Sequence, residues 1–263
     1  MKTYKLDAII LKSRDMREAD KIITIYSIQR GKQRVVAHGA AKPTSRKRGA
    51  VQPFCYSSLL LHRGRQIDSV SQAELKEGFA DLRYDLERLT AAAYLAELTD
   101  SFVGEGEPNQ ELFALLLSTL YLLAAGNVEM ALRAYEARLL NLAGLQPELL
   151  GCNHCGAPFK ETKVWFAAEQ GALLCQACAA QEKKLTVFSR GTIEVLKTLY
   201  RFELSELQQL KVSEPLRKEL NILLRGYLEY HLEKRLKTTE FLDRLHKSRP
   251  EGGTNITRNK GEE

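Results

Sequence analysis

Ile22-Ile23-Thr24-Ile25-Tyr26-Ser27-Ile28, closed by Gln29-Arg30-Gly31, is the stretch on which the fold turns. A short run of β-branched and aromatic residues bounded by a glycine reads as a strand. The reading extends to Tyr4–Leu11 before it and to Arg34–His38, Phe54–Leu61 and Ile67–Ser71 after it. The Gly39–Gly49 segment and Gly64 supply further punctuation. Five short strands in about 75 residues suit a small closed barrel, because closure removes exposed strand edges. An oligonucleotide-binding (OB) fold is the leading expectation, with an SH3-like barrel as its competitor.

From residue 80 the period becomes helical. Leu82, Leu86, Leu89, Ala93 and Ala96 follow 4-3-4-3 steps on one face, and Val128, Leu132, Tyr135, Leu139 and Leu142 repeat the spacing. Asn127 stands as an N-cap, with Gly144 past the helix end before Pro147. Between them, the apolar stretch Leu112–Ala125 is too short for a membrane span, which needs roughly 20 residues, so it reads as a core helix buried all round. Leucines at 220, 224, 228, 232 and 236 resume the pattern. The expectation is an α+β multidomain chain: an OB-fold β-barrel over residues 1–79, an α-helical bundle from 80–144 and 186–245, a non-helical insert at 145–185 and a frayed tail over 246–263.

The insert carries the most specific motif. Cys152-Asn-His-Cys155 and Cys175-Gln-Ala-Cys178 are separated by nineteen residues, including Val164-Trp165-Phe166 and Ala172-Leu173-Leu174 around Gly171. Two CxxC pairs at this distance match a four-cysteine zinc ribbon, with a hairpin laying one thiolate turn against the other. With Cys152, Cys155, Cys175 and Cys178 as ligands, the site would be closed, one structural Zn2+ rather than a catalytic metal. Cys55, among Phe54, Tyr56 and Leu59, reads as a small buried hydrophobe. An odd cysteine count clustered this way, behind a charged N-terminus without the apolar run of a signal peptide, points to a reducing cytoplasm.

Charge divides the chain. Its 263 residues carry a net +6, but residues 1–80 hold 16 Lys+Arg against 7 Asp+Glu, and the remainder 23 against 26. A +9 barrel attached to a −3 body fits a polyanionic partner at one end. Four cations fall within Lys42-Pro-Thr-Ser-Arg46-Lys47-Arg48, a loop in this reading. Arg14, Lys21, Arg34, Lys42, Arg46, Lys47, Arg48, Arg63 and Arg65 are the candidate phosphate contacts, with Arg17, Arg30 and Lys32 close in sequence. Tyr26, Phe54 and Tyr56 are the rings available for base stacking, although their strand positions favour core. No phosphate loop, H-E-x-x-H or G-x-S-x-G motif is present, and the five histidines are dispersed, so no catalytic residue is assigned.

Taken together, these pieces resemble the bacterial recombination mediator family RecO. The likeness rests on Arg17-Glu-Ala-Asp-Lys21-Ile-Ile-Thr24 before Gly31-Lys32, Gly39-Ala-Ala-Lys42-Pro43, Gln52-Pro-Phe54, Gly64-Arg65, Ser71-Gln-Ala-Glu74 and the paired cysteines of the zinc-bearing branch. It covers roughly residues 1–245. Ala41 departs from the second basic residue that relatives often carry beside Lys42. The resemblance implies a non-enzymatic protein that binds single- and double-stranded DNA and anneals complementary strands. It further implies action with RecR to load RecA onto DNA coated by single-stranded DNA-binding protein, whose acidic, Phe-ended C-terminal tail it recognises, with no membrane role. Two other classes compete: a zinc-stabilised adaptor whose cationic barrel docks acidic proteins, and a chaperone switched by thiol oxidation.

Overall fold

A computed structural model describes residues 2–16 and 18–247. Arg17 and, from residue 248, the expected tail lie outside the described residues.

The first third forms five strands: β1 (Thr3–Asp15), β2 (Lys21–Ser27), β3 (Gly31–Ala37), β4 (Tyr56–His62) and β5 (Asp68–Glu77). They close in the order β1-β2-β3-β5-β4, an OB-like arrangement. Side chains alternating along each strand fill the interior: Leu6, Ala8 and Ile10 of β1, Ile23 and Ile25 of β2, Val35 of β3, Leu59 and Leu61 of β4, and Val70 of β5. Ile9 and Leu11 point the other way, into the main helical core. Strand β1 is therefore buried on both faces, which explains its unbroken Ala-Ile-Ile-Leu run. Its register with β2 slips between Ile10 and Lys12, a bulge that bends the strand and re-aims the residues after it.

The ring is not cleanly closed. Strands β3 and β5 share only the parallel pairs Val35–Asp68 and Val36–Ser69. Lower on β3, a loop of the helical body takes over: Glu105 bridges Lys32 in parallel, and the Gly106 N–H donates to the Lys32 carbonyl at 2.9 Å. The exposed edge left by a short seam is covered in this way.

The body comprises α1 (Ala80–Arg83), α2 (Leu86–Phe102), α3 (Gln110–Ala124), α4 (Val128–Leu142), α6 (Arg190–Arg201), α7 (Glu214–Leu232) and α8 (Lys237–Lys247), with a 3-10 turn at Leu204–Gln209. Helix α4 is central, packing against α2, α3, α6 and α7. It ends as expected: Gly144 at φ +71° lets its own N–H reach Asn141 and the Leu145 N–H reach Leu140.

Two helical expectations need correction. The stripe from Leu82 to Ala96 is interrupted, because the Asp85 carboxylate accepts from the Glu87 and Arg88 N–H groups and starts a new helix. Leu86 is left exposed, while Thr90 to Thr99 are buried around most of α2, which is packed against β1, α3, α4 and α8. Nor is α3 buried all round. Ala114, Ser118 and Tyr121 form a solvent-facing line, because α2 and α4 cover only its other sides.

The insert folds as β6 (Lys163–Ala167), β7 (Ala172–Leu174), the short helix α5 (Gln176–Ala179) and β8 (Thr186–Ser189), with sheet order β7-β6-β8. Its boundary shifts from the expected 185, since β8 pairs with β6 before Ser189 caps α6. Val164, Phe166, Leu173 and Phe188 join the main core, and the Phe166 ring meets Tyr227 of α7 edge-on at 5.2 Å. No helix among the described residues is long and apolar enough to cross a membrane.

Candidate metal centre and nucleic-acid surface

Cys152 and Cys155 sit in the turn ahead of β6, while Cys175 and Cys178 lie at the start of α5 and inside it. Backbone hydrogen bonds shape the turns. Gly156 donates to the Cys152 carbonyl (2.8 Å), Asn153 to Leu173 of β7 (2.9 Å) and Ala179 to Cys175 (2.9 Å). All four Sγ atoms lie within 4.8 Å of one another, with Cys155 and Cys175 3.9 Å apart. Thiolates about 2.3 Å from one ion stand about 3.8 Å from each other in a tetrahedron, so the cluster has the dimensions of a metal cage. Burial acts to raise the Cys152 thiol, but the N–H groups of Cys155, Cys175 and His154 outweigh it and bring the group down to about 6. A proton shared with Cys175 pushes Cys178 up to about 12. A cation held by the four sulfurs would replace those protons. His154 is exposed and stands outside the cluster.

The candidate phosphate contacts fall into groups. Arg14 and Lys21 flank the β1–β2 turn, with the Lys21 ammonium 2.7 Å from Asp15. The basic connection after β3 folds back onto that turn: Ala41 donates to the Ala19 carbonyl at 3.0 Å, and Gly39 to Asp20 at 2.8 Å. It presents Lys42, Arg46 and Arg48 to solvent. Lys47 differs. Its Nζ donates to the Val70 carbonyl at 3.0 Å, and burial lowers its pKa, so it ties the loop to β5.

Arg63 and Arg65 are exposed on the β4–β5 hairpin. Beside them is a ring that the sequence reading passed over. Tyr4 carries the Arg30 guanidinium 4.1 Å from its centroid and Arg63 at 6.0 Å, and its hydroxyl donates to Asp68 at 2.5 Å. Burial and Asp68 push that hydroxyl up to about 12. The available signal was the period-two step from Leu6, which brings Tyr4 to the barrel mouth beside the basic hairpin. Tyr26, Phe54 and Tyr56 instead face the helical body: Tyr26 stacks on Phe113 at 6.4 Å, Tyr56 meets it edge-on at 5.8 Å, and Phe54 packs on the main core. Cys55 is buried, 3.4 Å from an Arg83 nitrogen, and burial raises its thiol.

Arg34 lies on the outer face of β3 with Lys32, and both are paired. Arg34 binds Glu105 at 2.8 Å, and Lys32 shares Asp100 with Lys12. Burial would raise Asp100, but the two ammonium groups outweigh it and hold the carboxyl below the ordinary range. In an OB fold, the face of strands two and three with the β1–β2 and β4–β5 loops is the side that meets oligonucleotides. The structure distributes most of the candidate cations over those features.

Residues 1–79 match the family model described as Recombination protein O N terminal, and residues 83–240 match Recombination protein O C terminal. The chain belongs to the RecO family. Among RecO relatives, a DNA repair protein RecO from Desulforamulus reducens is 71% identical over 256 residues, covering 97% of this chain and 100% of the relative. Those from Pelotomaculum thermopropionicum and Desulforudis audaxviator are 46% and 40% identical, over 93% of this chain and 95% and 98% of theirs. RecO membership places the chain in DNA repair and recombination.

Proposed function

We propose that this RecO-family chain is a non-enzymatic mediator that holds single-stranded DNA by its phosphates, leaves the bases free to pair and anneals complementary strands. With RecR it would help load RecA onto DNA coated by single-stranded DNA-binding protein. The observation that carries the reading is the set of exposed cations, Arg14, Lys42, Arg46, Arg48, Arg63 and Arg65, around an OB-like barrel in a chain of this family. Such groups track a backbone without reading bases, as annealing requires. Residues 1–79 would act as the DNA-binding unit, with the helical body left for protein partners. One cleft of about 390 Å³ is lined by Leu115, Leu142 and Leu204 together with Arg138, Arg201, Glu111 and Glu203. An acidic, Phe-ended tail would need such a combination of leucines and a cation, here Arg201, since Arg138 already donates to the Leu199 and Phe202 carbonyls.

Cys152, Cys155, Cys175 and Cys178 would hold one Zn2+ as a structural cross-link between the two turns, supported by their donor chemistry and the fit of their spacing to a tetrahedron. The deciding experiment is an annealing assay on bare and protein-coated strands, with and without ATP. Pairing of both substrates without ATP is expected. A strict ATP requirement, or failure to pair bare strands, would overturn the reading.

A further inference from the structure

We propose that Asp100 and Glu105 form an acidic strap that occupies phosphate positions on the outer face of β1–β3, so that this face is a nucleic-acid tract held closed in the free chain. The inference rests on the DNA-binding reading above and adds a second tract to the exposed loops.

The bulge in β1 turns Lys12 and Arg14 onto the same outer face as Lys32 and Arg34, lining one groove over Ile22 and Thr24 of β2. Four cations on three neighbouring strands would repel one another, yet three are neutralised from within the molecule. Lys12 donates to one Asp100 oxygen, Lys32 stands 3.4 Å from the other, and Lys32 also donates to the Asp100 carbonyl at 2.7 Å. Arg34 presents Nε and Nη2 together to a single Glu105 oxygen at 3.0 and 2.8 Å. One carboxylate between two ammoniums, and one oxygen in a guanidinium fork, are contacts that a phosphodiester also makes. Both acids come from the helical body, at the last turn of α2 and just beyond it, onto the face where OB folds receive oligonucleotides.

The strap is graded. Side chains of Lys32 and Asp100 are 14% and 23% exposed, whereas Arg34 and Glu105 are 62% and 60% exposed. An exposed pair is held weakly and yields to a competing phosphate, so the Glu105 end opens first. Arg14, in the same groove, has no carboxylate partner among the described residues and offers the entry point. Glu105 is not needed to anchor its own loop. The Gly106–Lys32 hydrogen bond and the close packing of Gly31 on Glu107 do that through the backbone. Its side chain is free to serve charge.

The test compares oligo(dT) binding by the full chain, Glu105→Gln, and Asp100→Asn with Glu105→Gln, across a salt titration. Glu161→Gln in the cysteine module controls for net charge. Releasing Arg34 alone should steepen the log-log slope by about 0.7, and releasing all three cations by about 2, with affinity at low salt rising about tenfold. Adding Arg34→Ala to Glu105→Gln should abolish the single variant's gain, which a general charge effect would not do. Binding by the unaltered chain with Glu105→Gln no tighter than Glu161→Gln would overturn the strap alone. Binding by neither the unaltered chain nor the strap variants would overturn the DNA-binding reading with it.

Discussion

Replacing Gly31 with alanine tests how far the barrel depends on the helical body. The residue sits at φ +60°, and a Cβ built there falls 2.1 Å from the Glu107 carbonyl oxygen and 2.7 Å from Pro108 N. The left-handed backbone costs an alanine roughly 1–2 kcal/mol. The contact adds to this because both obstacles are main chain, so no side-chain rotation relieves them. The 104–108 loop must lift, which strains the Gly106–Lys32 hydrogen bond, worth about 1 kcal/mol, and loosens the packing around Tyr26. With the loosened packing counted at about 1 kcal/mol more, the sum is about 3–4 kcal/mol. Gly144 supplies the matched control, with φ +71° and nothing within 4 Å of its Cβ position. Gly144→Ala should therefore cost only the backbone component, roughly 1–2 kcal/mol. At about 2–4 °C per kcal/mol, Gly31→Ala should melt roughly 6–16 °C below the unaltered chain and Gly144→Ala roughly 2–8 °C below. Paired thermal melts by calorimetry and circular dichroism measure both. Equal losses in the two variants would refute the claim that the loop seals β3.

Three further outcomes are expected. Arg46→Ala with Arg48→Ala should flatten the salt slope of oligonucleotide binding by about 1.4, whereas Lys47→Ala should lower the melting temperature and barely move the slope, as read by fluorescence anisotropy. On the zinc reading proposed above, Cys152→Ser, which removes the buried thiol of the cluster, should drop bound zinc from one equivalent per chain to well below it in metal analysis. Glu97 accepts from the Thr238 hydroxyl and from the N–H groups of Thr238 and Lys237 at the start of α8. Burial would raise its carboxyl, but these donors hold it below the ordinary value. A carboxylate depressed in the folded state stabilises the fold above that ordinary value and stops doing so as pH falls through the folded one. Glu97→Gln should thus melt lower near neutral pH, with the gap to the unaltered chain closing below about pH 4.

The parts legible in the sequence were those in which one residue type repeats with a geometric period. Every strand of the barrel appeared because Ile, Val, Leu and Tyr runs stop at Gly31, the Gly39–Gly49 segment and Gly64. Strand β5 was cut short at Ser71, since Gln72, Glu74, Leu75 and Lys76 are exposed and leave no apolar alternation to follow. The cysteine cluster was legible because metal geometry fixes its spacing locally. Charge was readable in sign but not in pairing. Lys47 belongs to the same cationic run as Arg46 and Arg48, yet a carbonyl twenty-three residues away claims it. Lys12 and Lys32 meet Asp100 only because a bulge and a helix end converge, and no local pattern encodes that meeting.

The division of apolar contacts within the insert has its own consequence. Val164, Phe166, Leu173 and Phe188 belong to the large core, whereas Cys152 shares a small separate cluster with Ala167, Leu174 and Ala179. The sheet is anchored by the helices, whereas the thiol turns rest on its near edge through Ala167, Leu174 and the Asn153–Leu173 hydrogen bond, and otherwise on one another and whatever they bind. The turns therefore form an opening unit of low local stability, able to loosen and reclose while the platform beneath them stays folded. If the four thiols hold an ion as proposed, stripping it would leave a chain that melts nearly as before but exchanges its amide hydrogens rapidly around residues 152–157 and 175–179.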